Sequence, residues 1–339
     1  MQDALFPEER PAAQTARKRG GVQAAAHDPL LQPLRSRLPA TLRLGTSSWS
    51  YPGWIGTVWD REYSPQLLSK KGLPAYAQHP LLRTVSLDRA FYQALPAAQY
   101  ALYAQQVPAD FRFVVKAPSL VADALIRSEN GRGLQRNASF LDPHLALESF
   151  ARPASEGLGA KLGVLLFQLS PLPESLLLDP PALLARIAAM LAALPLAELR
   201  VRSPELILAL ELRNGELLGR ELATMLRACG ATYCLGLHAK MPQIEAQLPT
   251  LRALWPGPLV CRWNLHRKHG AYGYEEAKRL YGNFDRLVDP DPHTRAQLAR
   301  VIAGTTGAGH PAYVTLGNKA EGSAPLSVLA LAQALSAAG

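Results

Sequence analysis

Short runs rich in Val, Ile, Leu, Phe and Tyr recur along the chain, and stretches with helical spacing separate them. Eight such runs predict strands: Leu42–Thr46, Thr84–Leu87, Phe111–Lys116, Gly163–Leu169, Leu206–Leu212, Thr232–Leu237, Leu259–Asn264 and Ala312–Leu316. Amphipathic segments such as Pro96–Gln106, Pro180–Leu194, Glu216–Cys229 and Pro325–Ala337 predict helices between and after them. Ser323 suits the N-cap of the last helix, and Pro325 sits near its first turn, where a missing N–H does no harm. Strands that alternate with helices imply parallel pairing, because parallel neighbours need a crossover. Eight units in about 300 residues fit a closed barrel better than an open doubly wound sheet. The open sheet would carry a GxGxxG turn after an early strand, and no such turn occurs. The expected fold is α/β, a single (β/α)8 TIM-type barrel over residues 39–339. Residues 1–38 are rich in Ala, Pro, Gln and Arg without periodicity, which predicts a flexible basic tail.

Composition supports a buried core, with 48% hydrophobic and 19% charged residues. No apolar run reaches the roughly 18 residues of a membrane span, and the opening MQDALFPEER has no apolar stretch of a secretory signal. Cys229, Cys234 and Cys261 lie in apolar segments and form no CxxC pair, as expected of small buried hydrophobes in a reducing compartment. A soluble, cytoplasmic protein with no membrane partner is expected. The formal charge of +9 favours anionic partners without choosing among them.

In this fold the working residues sit at the C-terminal strand ends and in the loops that follow. Charged residues inside apolar strands are informative there, since burying a charge is costly unless it is paired. Lys116 closes FRFVVK, Glu211 lies within LILALEL and Arg262 lies within LVCRW. They belong to strands three, five and seven, and alternate strands fill each layer of a barrel, so the three are expected to meet. One reading makes them the floor of an active site, with Glu211 and Lys116 catalytic and the cations holding an anion. The other makes them a closed ion cluster that rigidifies the barrel mouth. Asp88, Gln168, Arg213 and Asn264 occupy neighbouring strand ends and are candidate substrate contacts.

The loop after strand eight, GNKAEGSAPLS, places Asn318, Lys319 and two glycines before a helix N-terminus, a pattern that suits an anion. The segment after strand one holds Trp49, Tyr51, Trp54 and Trp59. Such rings either stack on a ligand or plug the loop against the barrel end. Trp49 and Tyr51, closest to the strand, are the ligand-facing candidates, together with Tyr92 after strand two. His238, His266 and His269 show no HxH or HExxH spacing, so no metal site is expected. GxSxG and Walker A patterns are absent, and nothing in the sequence names a cofactor.

Six blocks in order, GTSSWSYPGW, VSLDRAFYQALP, FRFVVKAP, KLGVLLFQL, LALELRN and VTLGNKAEGSAPLSVLAL, resemble the signature blocks of the YecE-like family, domain-of-unknown-function family 72. The resemblance spans roughly residues 41 to 336. It implies a TIM-type barrel whose biochemical activity is not established. The family pattern falls on Trp49, Tyr51, Trp54, Phe91, Tyr92, Lys116, Gln168, Glu211, Arg213, Arg262, Asn318 and the Ala324-Pro325 turn. Departures also occur: Ser86 replaces a glutamate, Asp88 an asparagine and Asn264 a common histidine, while the usual aspartate after strand six has no clear counterpart near Leu237-His238. These changes count against a metal or acid–base role carried over from the family.

The leading functional expectation is an enzyme acting on an anionic, phosphorylated or sugar-like small molecule, with Glu211 as acid or base and Lys116 and Arg262 stabilising negative charge. A nucleic-acid-binding barrel is the rival, using basic loops such as the Arg127, Arg132 and Arg136 series. A catalytically inactive regulatory or scaffolding barrel is the third.

Overall fold

A computed structural model describes residues 21–127, 133–270 and 273–338. Eight parallel strands close a barrel in sequential order: β1 (Leu42–Thr46), β2 (Thr84–Leu87), β3 (Arg112–Lys116), β4 (Leu162–Gln168), β5 (Ile207–Glu211), β6 (Ala231–Leu237), β7 (Leu259–Trp263) and β8 (Ala312–Leu316). Closure is made by β1 against β8, with Leu42 opposite Ala312 and Thr46 opposite Leu316. The strands expected from the hydrophobic runs are those of the barrel, displaced by no more than a residue at their ends.

Side chains pointing into the barrel form their own apolar layer, which includes Val114, Val164, Leu166, Ala209, Val260 and Tyr313. Tyr313 spans this interior, and a Cβ on Gly163 would lie 2.6 Å from its ring, so only glycine fits there. The larger core lies between the strands and the surrounding helices, among them Pro180–Ala192, Arg220–Ala228, Pro292–Gly307 and Ala324–Ala338. Asp179 and Asp291 cap two of these helices by accepting from the amides of Ala182 and Thr294, each with proline in the first turn. Among the described residues no single helix is long and apolar enough to cross a membrane.

Two features depart from expectation. A two-stranded antiparallel hairpin, Leu125–Arg127 with Gly133–Arg136, sits outside the barrel after β3. Its short arms carry no alternating pattern strong enough to read. The second concerns the N-terminal segment. Residues 1–20 lie outside the described residues, but 21–38 are not a loose tail. Val22, Ala25, Leu31 and Leu38 are buried. The Ala25 amide donates to the Val58 carbonyl at 3.0 Å, and Ala24 bridges Trp59. Helix Leu31–Arg37 then packs on the C-terminal helix. A short extended segment docks through backbone hydrogen bonds and isolated apolar side chains, and neither leaves a periodic trace in sequence.

Deleting residues 1–36 is therefore expected to lower the melting temperature by more than about 5 °C. Each buried aliphatic side chain removed costs about 2 kcal/mol or more, and a kcal/mol moves a domain of this size by about 2–4 °C. Circular dichroism melts of the truncated and full chains check this, and an unchanged melting temperature would show that the segment contributes nothing.

Candidate functional site

The C-terminal strand ends surround a cavity of about 460 Å3. Its floor is an ion network. Glu211, at the end of β5, is fully buried and stands between two guanidinium groups. Arg262 Nη1 on β7 donates to Glu211 Oε2 at 2.8 Å and to Gln168 Oε1 at 3.1 Å. Arg213 Nη1 lies 2.5 Å from Glu211 Oε1, a close charge contact without hydrogen-bond alignment. The second amino group of Arg262 donates to Asp88 Oδ2 at 2.8 Å, and the Ser86 hydroxyl donates to Asp88 Oδ1 at 2.6 Å. Residues of β2, β4, β5 and β7 are thereby tied across the barrel axis.

This geometry decides the protonation of Glu211. Burial alone would push its pKa up, but Arg213 and Arg262 outweigh burial and hold the carboxyl below the ordinary range. Burial likewise works against the Arg262 cation, and Asp88 and Glu211 overcome it so that its pKa is raised. Glu211 does not line the cavity. The acid–base role expected for it does not suit a carboxylate held ionised beneath two arginines.

Lys116 is different. It ends β3, is buried and lines the cavity. Its ammonium forms no hydrogen bond or ion pair with a described residue and lies 3.5 Å from the centre of the Phe91 ring. Burial is the main cause that brings its pKa down to about 8, partly opposed by Asp88 and reinforced by Arg262.

The wall opposite the floor is rich in unused donors. Asn318 Oδ1 accepts from Trp54 Nε1 at 3.1 Å and from the Ala324 amide at 2.8 Å. Two donors on one atom fix which end of the amide is oxygen, leaving Nδ2 buried without a partner among the described residues. Asn264 Nδ2 is in the same condition. Asn318, Asn264, Lys319, Arg213 and Lys116 all line the cavity. Asp88 and Glu275 supply its carboxylates, and Gln168 and Tyr51 complete its lower wall.

Several expected contacts land elsewhere. Trp49 does not face the cavity: it is buried, its Nε1 donates to the Leu68 carbonyl at 3.1 Å and its ring meets Tyr103 edge-on. The strand turns it outward, towards the helical layer. Trp54 and Trp59 stack 6.5 Å apart inside the same plug. Tyr92 lines the rim but is largely exposed. The loop after β8 is not an open backbone cradle either. The amides of Ala320, Gly322 and Ala324 are taken by Gly317 O, Asn318 O and Asn318 Oδ1, so the following helix is capped from within. Glu321 is wholly buried in that loop and accepts from the Asp291 amide. Arg132 lies outside the described residues, and Arg136 lines a separate groove with Arg186. Among the described residues, no group of three or more His, Cys, Asp and Glu side chains is placed to hold a metal ion.

The roof of the cavity went unread in the sequence. Helix Tyr274–Tyr281, inserted between β7 and helix Pro292–Gly307, contributes Tyr274, Glu275 and Lys278, and Phe284 follows it. Tyr51 packs edge-on against Phe284, and Gly53 lies so close to Asn283 that a Cβ would meet its carbonyl at 1.8 Å. Glycine at 53 is what lets the β1 loop seat against the insertion. His238 faces Tyr274 at 5.3 Å, and burial followed by Arg213 lowers its pKa to about 3, which keeps the imidazole neutral.

The family model for DUF72, described as a protein of unknown function, matches residues 43–339. The chain belongs to the DUF72 family. The crystal structure of a DUF72 protein from Enterococcus faecalis V583 superposes with a TM-score of 0.56 at 19% identity, covering 87% of this chain and 95% of that one. A DUF72 protein from Thermotoga maritima MSB8 gives 0.48 at 20% identity, covering 87% and 98%. No curated protein matches the sequence. At 19% identity the likeness of this DUF72 chain to the Enterococcus faecalis structure shows the fold. The YecE-like blocks correspond to the family shown, and their residues Lys116, Glu211, Arg213 and Asn318 meet Arg262 of β7 around one floor and wall.

Two outcomes follow from the charges. Glu211→Gln is expected to cost about 3–5 kcal/mol in urea unfolding, because it leaves two buried guanidinium groups uncompensated. The stability that the Glu211 carboxylate contributes is complete above the unfolded value near 4.5 and is lost as pH falls through its lower folded value. Lys116 has the opposite sense. Between pH 8 and 10.5 the unfolded chain holds a proton that the folded chain has released, so stability rises with pH across that window. Lys116→Met is expected to be more stable than the wild type at pH 7, by on the order of 2–3 kcal/mol, and to converge with it near pH 10.5. A difference constant from pH 7 to 10.5 would contradict this.

Proposed function

We propose that the DUF72 barrel mouth binds an anionic small molecule, phosphorylated or sugar-like, and acts on it as an enzyme. The observation that carries this reading is the excess of donors. Lys116, Arg213 and Arg262 gather around Asp88 and Glu211, and both of these carboxylates are engaged by Arg262. Glu275 is the further carboxylate that lines the cavity among the described residues, beside Lys278 and Lys319. Asn318 Nδ2 and Asn264 Nδ2 are buried without an acceptor among the described residues, and the Lys116 ammonium stands over the Phe91 ring. A buried donor without an acceptor costs about 1–3 kcal/mol, more for a charged one, and the oxygens of a phosphate or carboxylate supply several acceptors at once. A cavity of about 460 Å3 suits a metabolite better than a polynucleotide strand, which runs along an open groove. Glu211 serves by keeping Arg213 and Arg262 fixed, and Lys116 and Asp88 are the groups left to meet a substrate.

Phosphate or sulfate is expected to raise the melting temperature above that in chloride of matched ionic strength. A ligand at a hundredfold excess over its Kd stabilises by about 2.7 kcal/mol. Lys116→Met should reduce the rise while folding normally. A wild-type protein that responds to phosphate and sulfate no more than to chloride would overturn the anionic-substrate reading.

A further inference from the structure

The amine of Lys116 presents a chemical problem that anion binding alone does not resolve. A lysine whose task is to hold a negative charge works best fully protonated, and barrels protect such a charge with a neighbouring carboxylate. Here the neighbouring carboxylates are turned to Arg262 and Arg213, and Lys116 has only the face of Phe91 against its ammonium. A ring face at 3.5 Å offsets part of the charge but accepts no proton and forms no directed bond. Lys116 also lines the cavity from the end of a strand, where its backbone is fixed by the barrel rather than by a loop.

We propose that Lys116 is a nucleophile that forms a Schiff base with the carbonyl group of an anionic aldehyde or ketone, such as an oxo acid or a phosphorylated carbonyl compound. This rests on the anionic-substrate reading of the same cavity. The neutral Nζ attacks the carbonyl carbon: a C–N bond forms, the C=O π bond breaks, and the proton the nitrogen gives up passes to the oxygen to give a neutral carbinolamine. The C–O bond then breaks, the oxygen leaves as water with a second proton, and the nitrogen remains bonded to carbon as an iminium ion. No oxidant or reductant is needed. Asp88 lines the same cavity and is oriented by Ser86 and Arg262, which places a carboxylate to carry protons between amine, oxygen and solvent. Asn318 and Arg213 on the wall face the anionic group. Burial supports the chemistry, because an amine brought down to about 8 is unprotonated in roughly a tenth of molecules at pH 7, far more than an ordinary lysine.

The test uses the full chain with sodium cyanoborohydride, which reduces an imine to a stable secondary amine. Pyruvate and glyceraldehyde 3-phosphate are the anionic probes, and acetone is the neutral one. Peptide mapping by mass spectrometry is expected to place one reduced adduct on Lys116, formed about tenfold faster with the anionic probes than with acetone. Its rate should rise with pH through about 8, and phosphate should slow it. Lys278 and Lys319 line the same cavity and serve as internal controls for unselective labelling. Labelling spread evenly over surface lysines, or none at Lys116, overturns the proposal. If phosphate still raises the melting temperature in that case, anion binding stands and only the covalent step falls. If neither effect is seen, both fall. Equal rates with pyruvate and acetone overturn the substrate class. The wild-type peptide map decides the matter even if Lys116→Met fails to fold.

Discussion

A single carboxylate, Glu211, has two guanidinium groups brought against it in the middle of the barrel mouth, and the rest of the site is arranged around the cost of that burial. An ion removed from water loses several kcal/mol of hydration, and only close, well-directed partners recover it. Arg262 supplies two such partners at once by reaching Glu211 with one amino group and Asp88 with the other. Removing any member leaves the others buried and uncompensated. The network therefore ties β2, β4, β5 and β7 together with directed bonds beneath the cavity.

The same arithmetic explains why Lys116 stands apart. With both carboxylates occupied, a third buried cation has no counter-ion, and its protonated form is disfavoured. Asn318 reaches a similar condition by another route. Its oxygen is committed to capping the last helix and to the Trp54 indole, so its amide nitrogen is the only end left for the cavity. Structural duty at one end of a side chain thus exposes chemical capacity at the other.

The cavity owes its depth to parts outside the barrel. The insertion between β7 and helix Pro292–Gly307 roofs it with Tyr274, Lys278 and Phe284, and the plug of Trp54 and Trp59 packs behind it, with Trp54 donating to Asn318. The N-terminal residues 21–38 brace that plug through Val58 and Trp59. Packing at the rim is thus continuous with the site, and a change at residue 22 or 25 bears on the aromatic loop that seats Tyr51.

Hydrophobic periodicity alone determined the eight strands, their alternation with helices and the closed barrel, because a parallel strand buried on both faces has to be written as an apolar run. The same rule exposed Lys116, Glu211 and Arg262, since a charge within such a run has no solvent to turn to, and strand parity placed Glu211 against Arg262. Only the tertiary structure decided what each charge does. Protonation depends on distances between strands far apart in sequence, and these give Glu211 two paired cations and leave Lys116 no ion-paired carboxylate among the described residues. Which way Trp49 faces, whether the amides after β8 are free, and which helix roofs the mouth are likewise set by contacts across the fold. The docking of residues 21–38 rests on backbone hydrogen bonds and single side chains, and such contacts impose no period on the sequence that encodes them.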